Sequence, residues 1–189
     1  MLDKIANNPN LRYFLLYSLT FIFYGCVIAA PGPLIPFLAN KHDKLETDFT
    51  YLFACRAVGF IVGSILMNLT VDKFNNHFLL IISLVFAGVP FIIFPFTDSM
   101  VLEGVYIFIS SICCSCFEIL INICLLATHK NNNEEFWLQI LHGIFGIGGL
   151  IGPLFIGVGG VYGCIWIGGA LLIGIPGYFL LPSPETFPK

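Results

Sequence analysis

Residues 136–158 read FWLQILHGIFGIGGLIGPLFIGV, 23 consecutive positions without a charged side chain. About 20 apolar residues in a helix rising 1.5 Å each cross the roughly 30 Å hydrocarbon core of a bilayer. A surface helix of a soluble domain would show a broad polar face; this stretch has only Gln139 and His142 to offer. It also carries Gly143, Gly146, Gly148, Gly149, Gly152 and Gly157. Small residues at that spacing let helices approach backbone to backbone in lipid, where packing and weak hydrogen bonds drive association. The stretch therefore predicts a membrane-spanning helix with a close-packing face.

Working outward, the same pattern recurs along the chain. Apolar runs at about 11–38, 49–71, 78–96, 101–127, 136–158 and 161–181 predict six spans. They are separated by polar stretches such as KHDKLETD at 41–48, Asp72-Lys73, Thr97-Asp98 and the run from His129 to Glu135. Pro182-Ser183-Pro184 closes the last one, because proline cannot continue a helix. The expectation is one all-α, polytopic membrane domain over residues 1–189, with no room for a separate folded unit. Composition agrees: 58% of the 189 residues are hydrophobic and 10% charged, with a mean hydropathy of +0.93. A soluble domain carries about 25% charged residues. The start, MLDKIANNPN, lacks the basic n-region and cleavage site of a signal peptide, so the first run is expected to remain as a span.

Loop charges predict orientation. Lys4, Arg12, Lys73, Lys130 and Lys189 fall on the side of the N-terminus, against Lys41 and Lys44 on the other. Both termini are thus expected on the cytoplasmic or matrix side, in a membrane the sequence does not specify. Net charge is −3 with no basic run, which gives no reason to expect a nucleic-acid partner. All seven cysteines lie inside apolar runs, and Cys113-Cys114-Ser115-Cys116 reads as small residues packing on a buried helix. No metal or cofactor is expected. With no Ser-His-Asp arrangement, phosphate loop or metal-ligand spacing, an enzyme is not expected either.

Ionisable and polar groups inside spans are costly and mark function by default. Arg56 lies about two turns into span 2, near enough to an interface to snorkel. Glu118 sits deep in span 4, with Asn122 at i+4 on the same face. Gln139 and His142 share a face of span 5. Since spans 4 and 5 run antiparallel, Glu118 and His142 both fall roughly 10–14 Å from the inner end. One polar cluster of these four residues near the midplane is the expectation. Gly59-x-x-x-Gly63 on span 2, and Gly148 with Gly152 on span 5, are the expected helix-packing positions. So much small-residue surface is expected to exceed what six helices bury, leaving one face for another subunit or a second half.

Several motifs together resemble a known family. Arg56-Ala-Val-Gly59 through Ser64, followed by Val71-Asp72-Lys73-Phe74, resembles the second helix and following loop of the major facilitator superfamily. Glu118-x-x-x-Asn122 is similar to the acidic-x-x-x-Asn motif of its fucose/proton symporter and sodium-dependent glucose transporter branch. Gln139-Ile-Leu-His142, with Gly146, Gly148 and Gly152-Pro153, resembles the Gln-Ala-Leu-His segment of the same branch. Asn68, Asn75 and Asn76 depart from the loop signature, and span 1, with Ala30-Pro31-Gly32-Pro33, has no carboxylate.

The resemblance implies a 3+3 inverted repeat, spans 1–3 and 4–6, as in one six-helix half of a twelve-helix transporter. It implies Glu118, Asn122, Gln139, His142 and Arg56 as lining a substrate or coupling-ion cavity, and Asp72 and Lys73 as a gate loop. The function implied is half of a secondary transporter for a small polar solute such as a sugar, cation-coupled through Glu118. The alternative is a transport-inactive, transporter-derived subunit of a larger membrane complex. Partners follow accordingly: the lipid bilayer, and a second six-helix half, a homodimer partner or other subunits.

Overall fold

A computed structural model describes residues 9–130 and 133–184. Lys4 and Lys189, two of the charges used for orientation, lie outside the described residues. Eight α-helices are described: α1 Pro9–Ala29, α2 Pro31–His42, α3 Tyr51–Thr70, α4 Asn76–Ile93, α5 Met100–Thr128, α6 Glu134–Gly159, α7 Gly163–Ile173 and α8 Ile175–Leu180. Short 3-10 turns at Glu46–Phe49, Phe94–Phe96 and Gly160–Tyr162 join them, and no strand occurs among the described residues.

These helices make six passes. Five helical runs among the described residues are long and apolar enough to cross a membrane, the last being the 47-residue stretch Glu134–Leu180. At 1.5 Å per residue that stretch would measure about 70 Å, twice a bilayer core. It does not run straight: Gly160, at φ +57°, turns the chain back, and Gly163 packs against the backbone of Phe155 and Ile156. Spans 5 (α6) and 6 (α7–α8) are therefore an antiparallel pair.

Span 1 departs from its expected bounds. Its helix does not stop at residue 38 but continues as α2 to His42, with Asp43 in the left-handed region at φ 53° as its cap. The helix breaks at Ala30, because Pro31 and Pro33 lack the N–H groups that would bond Val27 and Ala29. Lys41 and His42, expected in a loop, are thereby carried on the last turn of a helix.

The tightest interfaces are span 1 against span 5 and span 2 against span 4. Both are built on the predicted glycines. A Cβ at Gly148 would collide with the Ile22 carbonyl, and one at Gly152 would lie 2.6 Å from the Cys26 carbonyl. A Cβ at Gly59 would lie 2.7 Å from the Phe108 carbonyl, and one at Gly63 would collide with the Ile112 carbonyl. The two interfaces would exchange if spans 1–3 were laid on spans 4–6, the pairing an inverted repeat calls for. Span 3 (α4) fills the remaining side, against spans 4 and 6.

Outside these contacts, spans 2 and 5 turn apolar surface outward through Val58, Ile61 and Ile65, and through Leu150, Leu154 and Val158. A Cβ added at Gly143, Gly146, Gly149 or Gly157 would meet no heavy atom of another residue within 4 Å among the described residues.

Candidate functional site

Three polar assemblies occupy three levels of the bundle. At the end nearest the termini, His77 joins spans 1, 3 and 6. Its Nδ1 lies 3.1 Å from the Leu181 carbonyl, which can only accept, so in the neutral ring Nε2 is left to accept from the Tyr17 hydroxyl at 3.1 Å. Thr20 and Tyr178 share a hydrogen bond of 2.8 Å beside them, and the Tyr13 hydroxyl donates to the Pro182 carbonyl at 2.7 Å. His129, just past the end of α5, packs against Trp137 in a tilted contact with ring centres 4.8 Å apart, and burial lowers its pKa from the ordinary imidazole value.

The middle level holds the predicted site residues. Glu118 is half-buried on α5, and its Oε2 accepts a hydrogen bond of 2.7 Å from the Tyr24 hydroxyl of α1. Tyr24 stacks on Phe21 and lies against Phe117 and Phe145, so its ring is fixed by packing from three helices. Asn122 is half-buried one turn further along, and its side-chain oxygen is buried without a hydrogen-bond partner among the described residues.

Gln139 and His142 are exposed on α6; His142 packs edge-on against Phe21 at 5.5 Å. Among the described residues no hydrogen bond or ion pair joins Glu118 or Asn122 to Gln139 or His142. Aromatic rings of span 1 stand between the two expected pairs. The polar partner that α5 does find, Tyr24, is a residue type that sequence reading passes over inside an apolar run.

Arg56 crosses from span 2 to span 1, where it donates to the Ile28 carbonyl at 2.6 Å. That carbonyl lies in the last turn of α1, just before the helix break at Ala30. The guanidinium carbon also lies 5.8 Å from the Phe60 ring centre, a cation–π contact. Beside it is a small cavity lined by Val27, Pro31, Ser110, Ser111 and Cys114. Glu118 and Arg56 thus bond to Tyr24 and Ile28, one turn apart on the same face of span 1. Asp72 and Lys73 lie exposed in the turn between α3 and α4, with no side-chain partner among the described residues. Asn75, one of the departures from the loop signature, caps α4 by accepting from the Phe78 N–H at 3.2 Å.

At the far end, an ionic cluster went unpredicted. Glu103, on the first turn of α5, is fully buried, and its Oε1 lies 2.8 Å from Nε2 of His42 and 3.8 Å from Nζ of Lys41. Lys41 also lies 3.5 Å from Asp98 and donates to the carbonyls of Pro95 and Thr97. The signal available in the sequence was Glu103 itself, an acid inside an apolar run.

Comparison with known proteins places this arrangement. The Major Facilitator Superfamily profile matches residues 17–189. The chain is 30% identical over 149 residues to major facilitator superfamily domain-containing protein 4A of Xenopus tropicalis, covering 77% of this chain and 29% of that protein. It is 27% identical to sodium-dependent glucose transporter 1 of Homo sapiens, over 71% of this chain and 26% of the relative. With glucose/mannose transporter GlcP of Bacillus subtilis (strain 168) it shares 26% identity, over 77% and 36%. The crystal structure of nucleoside transporter NupG (D323A mutant) superposes with a TM-score of 0.80 at 13% identity, over 95% of this chain and 46% of that one. The chain thus spans about a third or less of these curated relatives and just under half of the solved fold. By its family profile, its packing and its apolar spans, this multi-pass integral membrane protein belongs to the major facilitator superfamily, a family of transporters and not of enzymes.

Proposed function

We infer that this chain is one six-helix half of a secondary transporter for a small polar solute such as a sugar, with cation coupling through Glu118. The observation that carries this reading is the half-buried Glu118 carboxylate, held by a phenol and by no ion pair among the described residues. A carboxylate in a membrane interior stays ionised only with compensation. One neutral donor leaves that compensation to be supplied by a proton, a cation or a solute hydroxyl. Glucose-transporting relatives support the sugar class. Asn122, with its unpartnered oxygen, and exposed Gln139 and His142 supply further polar groups on the same bundle, and Arg56 braces the wall. Spans 1–3 and 4–6 form the inverted repeat, with both termini on the cytoplasmic or matrix side and Asp72-Lys73 in the gate loop there.

The partner is a second six-helix unit seated on the outward apolar and glycine faces of spans 2 and 5, as another half, a second copy or a subunit of a larger complex. The second reading, a transport-inactive structural subunit, is favoured by the Asp72–Lys73 turn, whose two side chains make no hydrogen bond or ion pair among the described residues. Asn75 there serves to cap a helix.

Reconstituting the full chain, with whatever partner co-purifies, and measuring labelled hexose uptake under sodium and proton gradients separates the two. Cation-dependent uptake that Glu118→Gln abolishes is the expected result. A stable complex with no flux under any gradient selects the structural reading.

A further inference from the structure

Span 1 breaks where Pro31 has no N–H to give the Val27 carbonyl. Val27 and Pro31, the two ends of that missing bond, both line the small cavity beside Arg56. A helix carbonyl is directed along the axis towards residue i+4, so the Val27 oxygen is aimed at the gap before the proline ring. The polar remainder of the lining comes from Arg56 on span 2 and from Ser110, Ser111 and Cys114 on span 4.

These groups have capacity left over, and its kind is defined. A guanidinium has five N–H donors. One of those on Arg56 bonds the Ile28 carbonyl, and the group makes no other hydrogen bond or ion pair among the described residues. Ser110 and Ser111 are buried, and both have committed their hydroxyl protons, to the Ala87 carbonyl at 2.9 Å and the Ile107 carbonyl at 2.6 Å. Their oxygens have lone pairs left to offer. Span 2 therefore brings donors to the cavity, and spans 1 and 4 bring acceptors.

That combination selects the ligand. The guanidinium repels a cation, and among the described residues no carboxylate lines the cavity to hold one. An anion would meet the serine lone pairs. A neutral hydroxyl both accepts from Arg56 and donates to an oxygen, and the space takes about one group the size of water. Arg56 and Ile28 are only half-buried, which leaves a way in.

We propose that this cavity is a single-hydroxyl site, in which Arg56 donates to the bound oxygen and that oxygen donates to the Val27 carbonyl or a serine. Water is its resident, and a hydroxyl of a polar solute carries the same chemistry and replaces it. The occupant completes a bridge from the break in span 1 to spans 2 and 4. The site is separate from Glu118, which bonds Tyr24 one turn back along span 1. It requires no solute flux.

The chain carries its own probe and reference. Cys114 lines the cavity and is 1% exposed; Cys164, on span 6, is 0% exposed. Hydroxyl radicals form from bound water as well as from bulk water, so a buried thiol beside a water is oxidised and a dry one is spared. The full chain in detergent, with whatever partner co-purifies, is exposed briefly to X-rays in isotopically labelled water and read by mass spectrometry. Cys114 is expected to be labelled severalfold faster than Cys164. Equal rates overturn the site and leave the transport reading standing; absent flux leaves the site standing.

Repeating the exposure with saturating hexose separates the two sources, with Cys164 correcting for radicals that the sugar consumes. A lower ratio supports the site with a solute hydroxyl in place, and an unchanged ratio supports it with water alone. Arg56→Met, similar in length, withdraws the donors and is expected to bring the two rates together. A folded variant with the parent ratio overturns the role given to Arg56. Should it not fold, the ratio in the parent chain decides.

Discussion

Helix α5 carries two carboxylates within its apolar run, one buried and one half-buried, and the protein treats them oppositely. Glu103 is fully enclosed, paired with His42 and Lys41, and ties the end of the long first helix to the start of the fourth span. Glu118, half-buried and far down the same helix, has one phenolic hydrogen bond and no ion-pair partner among the described residues. Removing a carboxylate from water costs several kcal/mol unless charge and hydrogen bonds compensate. At Glu103 the protein supplies most of the compensation itself, which makes a fixed strut. At Glu118 it supplies one neutral donor, and on the proposed reading a proton, cation or solute completes it. A transporter needs both kinds: rigid ends that move as one body, and an unsatisfied centre whose state the cargo changes.

The largest effect expected within this comparison comes from breaking the frame that holds both. Gly148→Leu drives a side chain into the Ile22 carbonyl and should cost about 3 kcal/mol or more, read as loss of the monodisperse, folded protein in detergent. If the variant folds normally, the span 1–span 5 contact is not the support described here. Next is Glu103→Gln, which leaves Lys41 and His42 facing a neutral amide. We expect destabilisation of about 2–3 kcal/mol in thermal or denaturant unfolding, with no direct effect at the midplane.

Glu118→Gln should sharpen the contrast from the other side. Its unfolding free energy should change by less than about 1 kcal/mol, because the amide oxygen can still accept from Tyr24. Cation dependence of uptake should vanish. A stability loss equal to that of Glu103→Gln would erase the distinction between strut and site. The smallest effect belongs to Tyr24→Phe, which removes one hydroxyl from a ring already fixed by Phe21, Phe117 and Phe145. About 0.5–1 kcal/mol is expected, together with a shift in the cation concentration for half-maximal uptake.

Much of the frame was legible before any coordinates. The run at 136–158 and its five companions fixed the passes, because a bilayer admits only continuous apolar helices of sufficient length. Gly59, Gly63, Gly148 and Gly152 were readable as packing positions, since close approach in lipid requires small residues four apart. Glu118 stood out because a carboxylate deep in a span has few innocent explanations. The polar quartet was less legible. Shared depth placed Glu118 and His142 at one level, but depth says nothing of azimuth, and Phe21 and Tyr24 came between them. The Lys41–His42–Glu103 cluster was invisible for a different reason. The charged run KHDKLETD at 41–48 read as a loop that ends the first span near residue 38, whereas the helix continues to His42.

The sequence by itself determined that this chain lives in a membrane, how many times it crosses and which residues let its helices touch. Those properties follow from transfer free energy and side-chain volume, which are local to each segment. Only the tertiary structure decided which polar groups meet: Glu118 with Tyr24, Arg56 with the Ile28 carbonyl, and Lys41 with Pro95, Thr97, Asp98 and Glu103. Such pairings depend on the rotation of each helix about its axis and on where a proline-broken helix ends. Both are set by the packing of all six spans at once.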